Sequence, residues 1–156
     1  MRLWDWAVEA YGRPGAAEAA LELQDGHDQN VPYLLWAAWA ASEGRPLSPD
    51  DLEAGADAAR AWDAAAVRPL RAVRRQLKKP IPDLDDEARE AVRNQVKAAE
   101  LYAERRLLEQ LETLAPDPAG PAKPLAAALV EAARAWARVI PRAHLEALAA
   151  RLADRS

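Results

Sequence analysis

Apolar residues recur along this chain at steps of three and four, which predicts helix after helix. Leu3, Ala7, Val8 and Tyr11 mark a first short helix, broken by Gly12-Arg13-Pro14-Gly15. A second runs from about Pro14 to Asp25, with Ala17, Ala20, Leu21 and Gln24 on one face, and the polar stretch Asp25-Gly26-His27-Asp28-Gln29-Asn30 reads as a turn. Asn30 then suits an N-cap, with Pro32 in the first turn of a helix over about 31–42. That helix is apolar all round, from Leu34-Leu35-Trp36 to Ala40-Ala41, so it belongs at the centre of a core.

Two longer elements follow. Ser48-Pro49-Asp50-Asp51 is a helix start: a capping serine, a first-turn proline, and acids at the positive end of the dipole. Leu52, Ala56, Ala59, Trp62, Ala66, Leu70, Val73 and Leu77 carry that helix to Lys79-Pro80-Ile81-Pro82, with a kink expected near Ala65–Ala66 because Pro69 lies inside it. Acids from Asp83 to Glu87 open the next, and Ala88, Val92, Val96, Ala99, Ala103, Leu107, Leu111 and Leu114 line its apolar face. The pair, about 49–79 and 84–114, is expected to form an antiparallel hairpin roughly 45 Å long. Residues 116–124 hold four prolines and a glycine, a semi-rigid connector between a helical domain at 1–115 and C-terminal helices within 125–156, expected to dock on the same domain.

Composition strengthens the helical reading. Alanine supplies 39 of 156 residues and leucine 20, both strong helix formers, while β-branched and aromatic runs of strand type are missing. The predicted fold class is therefore all-α, a helical bundle built on the hairpin and the apolar central helix. Zero cysteine excludes disulfides, zinc-finger and iron–sulfur sites and thiol catalysis. The longest run without charge or strong polarity, 31–41, spans about 16 Å as a helix, too short for a bilayer of roughly 30 Å. The N-terminus reaches a charge too early for a signal peptide. A cytoplasmic protein without a membrane contact is the expectation.

The net charge of −4 argues against bulk nucleic-acid binding. One segment runs the other way: Arg68, Arg71, Arg74, Arg75, Lys78 and Lys79 form a basic helical face with no acid among them. It could meet phosphate, nucleic acid or an acidic partner. It also sits at a helix C-terminus, where cations suit the dipole, and Asp83, Asp85, Asp86, Glu87 and Glu90 across the turn can neutralise it.

Chemistry is thinly provided for. Serine occurs only at 42, 48 and 156, threonine only at 113, histidine only at 27 and 144, and no phosphate loop or nucleophile elbow is present. The cluster Asp25, His27, Asp28, Asn30 matches no calcium loop or zinc spacing, and turn chemistry accounts for it. No catalytic residue, metal ligand or cofactor is assigned. Six tryptophans remain. Trp4, Trp36, Trp39 and Trp62 could line an apolar pocket or fill core volume in a chain without phenylalanine. Trp4 and Trp6 cannot share one helical stripe, so one of them is expected at the surface, where an exposed tryptophan is a typical interface anchor.

The segments Leu3-Trp4-Asp5-Trp6-Ala7, Tyr11-Gly12-Arg13-Pro14-Gly15, Leu23-Gln24-Asp25 and Leu34-Leu35-Trp36-Ala37-Ala38-Trp39 resemble an uncharacterised proteobacterial family of helical proteins about 160 residues long. The resemblance implies a bacterial cytoplasmic protein and a helical fold, and no activity. The leading expectation is a non-catalytic helical protein that binds another protein or itself, through Trp6 and the face of Arg68, Arg71, Arg75 and Lys78. The alternative is a small-molecule or metal-binding protein, an enzyme among the possibilities, with a pocket near Trp4, Gln24, Asp25 and Trp36. Nucleic-acid binding through the 68–79 face comes third.

Overall fold

The computed structural model describes residues 1–153, so the last three positions of the predicted C-terminal region, Ser156 included, lie outside the described residues. The helices are α1 (Leu3–Tyr11), α2 (Ala16–His27), α3 (Val31–Ser42), α4 (Pro49–Trp62), α5 (Arg68–Gln76), α6 (Asp86–Leu114), α7 (Leu125–Trp136) and α8 (Arg142–Ala153), with a π-helical turn at Asp63–Val67 joining α4 to α5. The fold is an all-α bundle, as the periodicity predicts.

The core is organised by α3. Every residue from Val31 to Ala41 is buried, and α1, α2, α4, α6 and α7 all pack against it. The start of α3 is set locally: the Asn30 side chain accepts a 3.0 Å bond from the Tyr33 N–H, and Pro32 occupies the first turn. Burial this deep calls for partners for its polar atoms, and the side chains of Tyr33 and Trp39 find them while Trp36 Nε1 does not. The Tyr33 hydroxyl lies 3.2 Å from the Leu52 carbonyl and 3.0 Å from the Ala132 carbonyl, tying α3 to α4 and α7, and burial pushes its pKa up. Trp39 Nε1 donates to the Met1 carbonyl at 2.9 Å.

Trp36 fills the core against Gly55 of α4, where a β-carbon would run into the six-membered ring of the indole. Glycine at 55 is thus a packing requirement of the α3–α4 contact.

The stripe of α1 decides which of its two tryptophans turns inward. Leu3, Trp6, Ala7 and Ala10 are buried, a spacing of three, one and three that forms one helical face. Trp6 is only 9% exposed, so it is not the surface anchor that the sequence left open, and Trp4 is half-buried with the Arg105 guanidinium 4.9 Å over its ring.

Pro69 has the effect expected of it, in a specific form. It lacks the N–H that would bond the carbonyl four residues earlier, and the helix widens into the π turn just before it, where the Arg68 N–H bonds Asp63 O. Beyond this turn the hairpin leaves the body. From residue 68 to 99 no residue is fully buried; the apolar contacts of α5 are with α6, and its arginines reach back to Gln24, Asp25 and Asp28 at the end of α2. The hairpin tip is closed by polar devices: Asp85 caps α6 by accepting from the Glu87 and Ala88 N–H groups, and Arg89 donates to the Leu77 and Lys78 carbonyls.

The proline-rich 116–124 segment lies along the end of α3, with Ala119 N–H on Gly44 O and Lys123 N–H on Ala41 O, both at 2.9 Å. From there α7 packs on α3 and α4, and α8 on α7 and α2. At that last contact Arg13 donates to the Leu152 carbonyl, and the only two histidines, His27 and His144, stack with ring centroids 4.2 Å apart.

Two chambers on one polar wall

The body carries two adjoining chambers. The first, of about 550 Å³, opens between α1, α2, α3 and α6 and is mainly apolar: Trp4, Ala7, Val8 and Tyr11 come from α1, Leu21 from α2, Val31, Pro32 and Leu35 from α3, and Leu101 and Leu108 from α6. The second, of about 380 Å³, is polar. It lies where α2 ends and α3 begins, faced by the π turn and α5, with Trp136 of α7 at one side. Gln24, Val31, Pro32, Arg71 and Glu104 border both.

The local folding of this region follows from its turn chemistry. Asp28 ends α2 in the left-handed conformation, φ 50°, and the Gln29 N–H closes on Leu23 O at 3.1 Å, which satisfies a helix-end carbonyl and brings Gln29 inside. The Asp28 carbonyl receives Trp136 Nε1 at 2.8 Å. On the opposite side the π turn presents Asp63, and α5 presents Arg68, Arg71 and Arg75 toward the same space.

The shared wall is a charged cluster. Arg71 donates to Gln24 Oε1 at 3.2 Å and to Glu100 at 3.2 Å, and lies 3.6 Å from Glu104. Arg74 holds Glu100 from its other side at 2.6 Å. Glu100 is therefore buried with two guanidinium partners, as a buried carboxylate requires. Glu104 has only the longer contact to Arg71. Burial pushes its carboxyl up to about 7, Glu100 and Asp63 push the same way, and Arg71 and Arg74 oppose them. A carboxyl poised there can hold or release a proton near neutrality, the property expected of an acid–base or ligand-gripping group.

The sequence candidates sort cleanly against this geometry. Arg68, Arg71 and Arg75 line the polar chamber together with Gln24 and Asp25, so two groups that the sequence keeps apart are one place. Trp4 and Gln24 line the apolar chamber. Trp36 borders neither: its indole is consumed by packing on Gly55. Trp39 is core, and Trp62 is 39% exposed, with its Nε1 bonded to Ala103 O at 2.7 Å. Lys78 projects from the hairpin, with no carboxylate in ion-pair range among the described residues.

The four arginines of the basic face are neutralised, but by different acids from those across the turn. Arg68 pairs with Asp28 and Asp63, Arg75 with Asp25, and Arg71 and Arg74 with Glu100, whereas Asp86 and Glu90 pair with Arg89 and Arg93 along α6. Glu104, Gln29, Asp63 and Trp136 are site residues that the sequence pattern does not pick out. A weak signal exists for Glu104: Glu100 and Glu104 sit one turn apart on α6, beside the apolar stripe and opposite an arginine-rich helix. No group of three or more His, Asp or Glu side chains among the described residues is arranged to hold a metal ion.

A family model for proteins of unknown function, DUF2390, matches residues 2–111. The chain belongs to this family. The DUF2390 span runs from α1 through most of α6. It contains every residue that lines the apolar chamber and all but Trp136 of those that line the polar one. No curated protein and no solved structure matches the chain.

Proposed function

We propose that this DUF2390 protein binds a small, largely apolar molecule in the chamber between α1, α2, α3 and α6, with the polar end of that molecule meeting Arg71 and Glu104. The observation that carries the reading is the chamber's composition: an apolar cleft of about 550 Å³ whose inner wall ends on a few convergent charged groups, one of them a carboxyl raised to about 7. That is the usual make-up of a small-molecule site. The resemblance noted in the sequence would put this activity in the cytoplasm of a proteobacterium. Whether chemistry follows binding turns on Glu104, which stands where it could move a proton.

The test is titration with an environment-sensitive, uncharged and largely apolar fluorophore, N-phenyl-1-naphthylamine, on the wild type and on Leu21→Trp. Leu21 is 46% exposed at the rim, so tryptophan there obstructs the chamber without entering the core. The expected result is saturable binding by the wild type, weakened about tenfold or more in the variant, for the loss of roughly 1.4 kcal/mol or more of contact. Equal binding by both proteins refutes the reading.

A second reading, a protein that acts by association with another protein or with itself, draws on the hairpin. Leu84 and Val92 are 60% and 54% exposed, on a projecting element with no buried residue before Glu100. Exposed apolar side chains toward the tip of a projecting helical pair suit docking against a partner. Sedimentation over a range of concentrations tests self-association, with Leu84→Ser/Val92→Ser as the control that should remain monomeric. Nucleic-acid binding draws no such support, because Arg68, Arg71 and Arg75 are already held by carboxylates.

A further inference from the structure

The polar chamber contains an imbalance that its own residues do not resolve. Gln29 is 4% exposed and lines it. Its amide nitrogen donates to the His27 carbonyl at 3.3 Å, which fixes the orientation of the group, because a flipped amide would set oxygen against oxygen. Gln29 Oε1 is then buried with no hydrogen-bond partner. An unmet buried acceptor costs about 1–3 kcal/mol, and a bound donor would recover it.

The charges around it point to the same kind of ligand. Each arginine of the chamber already has a carboxylate: Arg68 has Asp63 at 2.6 Å, Arg71 has Glu100 at 3.2 Å, and Arg75 has Asp25 at 3.4 Å. An incoming anion would have to displace these acids. The lining itself holds four carboxyl groups to three guanidinium groups, and Glu104, the least engaged of the four, has its guanidinium contact at 3.6 Å. An N–H donor carrying positive charge meets an open acceptor and a carboxylate short of a partner, where an anion meets neither.

We propose that the polar chamber is a second binding site, for a small molecule bearing an ammonium or amidinium group, which donates to Gln29 Oε1 and is held by Glu104. The site is distinct from the apolar chamber and does not need that chamber's ligand, but the two share Glu104 on their common wall.

Calorimetric titration of the full chain at pH 8 tests it. The probes are n-butylammonium and benzamidinium, with butyrate and n-butanol as controls of matched size. Both cations are expected to bind, and the controls are not. Gln29→Leu should weaken the cations about tenfold or more, and Gln29→Glu, which adds a negative charge at the same place, should tighten them. Binding should also be weaker at pH 6, where Glu104 carries its proton. Leu21→Trp should leave cation affinity unchanged, so failure of the apolar-chamber reading and failure of this one are separable. Butyrate binding in place of the cations, unaltered cation affinity in Gln29→Leu or Gln29→Glu, or no heat from any probe with the wild type would overturn the assignment.

Discussion

The body and the hairpin arm are built from the same alanine- and leucine-rich helical vocabulary and are held together by different physics. In the body, α3 is enclosed by five other helices, and its tryptophans have no accessible surface. In the arm, α5 has polar and apolar faces as sharply divided as any helix in the chain, yet it buries nothing fully. Its stability comes from end-capping, from Arg89 on two helix-end carbonyls, from the interface with α6, and from polar contacts of Arg68, Arg71 and Arg75 to Asp28, Gln24 and Asp25 at the end of α2. Amphipathicity states which face would be buried if something covered it, and the arm shows that the covering is a separate fact. The two chambers sit at the junction of these regimes, where α5 and the π turn swing away from the enclosed body.

The largest difference is expected from Gly55→Ala. In an exposed helix this change would stabilise by about 1 kcal/mol through propensity. At 55 the added carbon meets the ring of Trp36, which is fully buried and has nowhere to retreat. Overpacking of a core site costs about 1–3 kcal/mol, and the direct clash with a ring that cannot retreat puts this site at the upper end, so after the propensity gain chemical denaturation should show a net loss of about 2 kcal/mol. A stabilised variant would mean that Trp36 can shift, and that the body is less tightly determined than its burial implies.

Glu104→Gln tests the junction. The native carboxyl holds its proton up to about pH 7, while in the unfolded chain it loses it near 4.5. The native state thus binds more protons between these values, and stability falls as pH rises from 4.5 to 7, with the full loss in force above that. A difference of one between the two pKa values is worth about 1.4 kcal/mol; the attraction of Arg71 and Arg74 is already contained in the native value, and the 29% exposure of the Glu104 side chain screens part of the cost. The glutamine variant should therefore be more stable than the wild type by about 2 kcal/mol at pH 8 and by nearly nothing below pH 4.5, read from denaturant midpoints across pH. A stabilisation independent of pH would show that the effect is packing and that Glu104 is not titrating in this range.

Much of this was legible from residue pattern. Asn30, Ser48 and Pro69 fixed two helix starts and a helix distortion through strictly local chemistry, and the all-apolar 31–42 run announced its central position. The sites were half legible. Arg68, Arg71 and Arg75 were visible as a charged face, and Gln24 and Asp25 as the edge of a turn, but their meeting depends on the angle at which α5 leaves the body, which no local pattern encodes. The choice between Trp4 and Trp6 hinges on which stripe of α1 faces α3: the spacing Leu3, Ala7, Val8, Tyr11 points to one phase, whereas the buried face is Leu3, Trp6, Ala7 and Ala10, with Val8 exposed. Gln29 looked like one more polar turn residue, because burial of a turn is set by what packs over it, here α7 with Trp136.

The smallest effect on stability is expected in the arm, and it bears most directly on what the arm is for. Leu84→Ser with Val92→Ser removes two side chains that are more than half exposed, so little transfer free energy is at stake, and the denaturation midpoint should move by no more than about 0.5 kcal/mol. If it does so while abolishing self-association, these residues serve contact with another molecule and contribute nothing to the fold that carries them. If the double variant instead costs about 2 kcal/mol or more, the arm is supported by those positions in the isolated chain, and the contrast with the body narrows to one of degree. A variant that is neutral in both stability and association leaves the chambers, and not the hairpin, as the part of the molecule with something to bind.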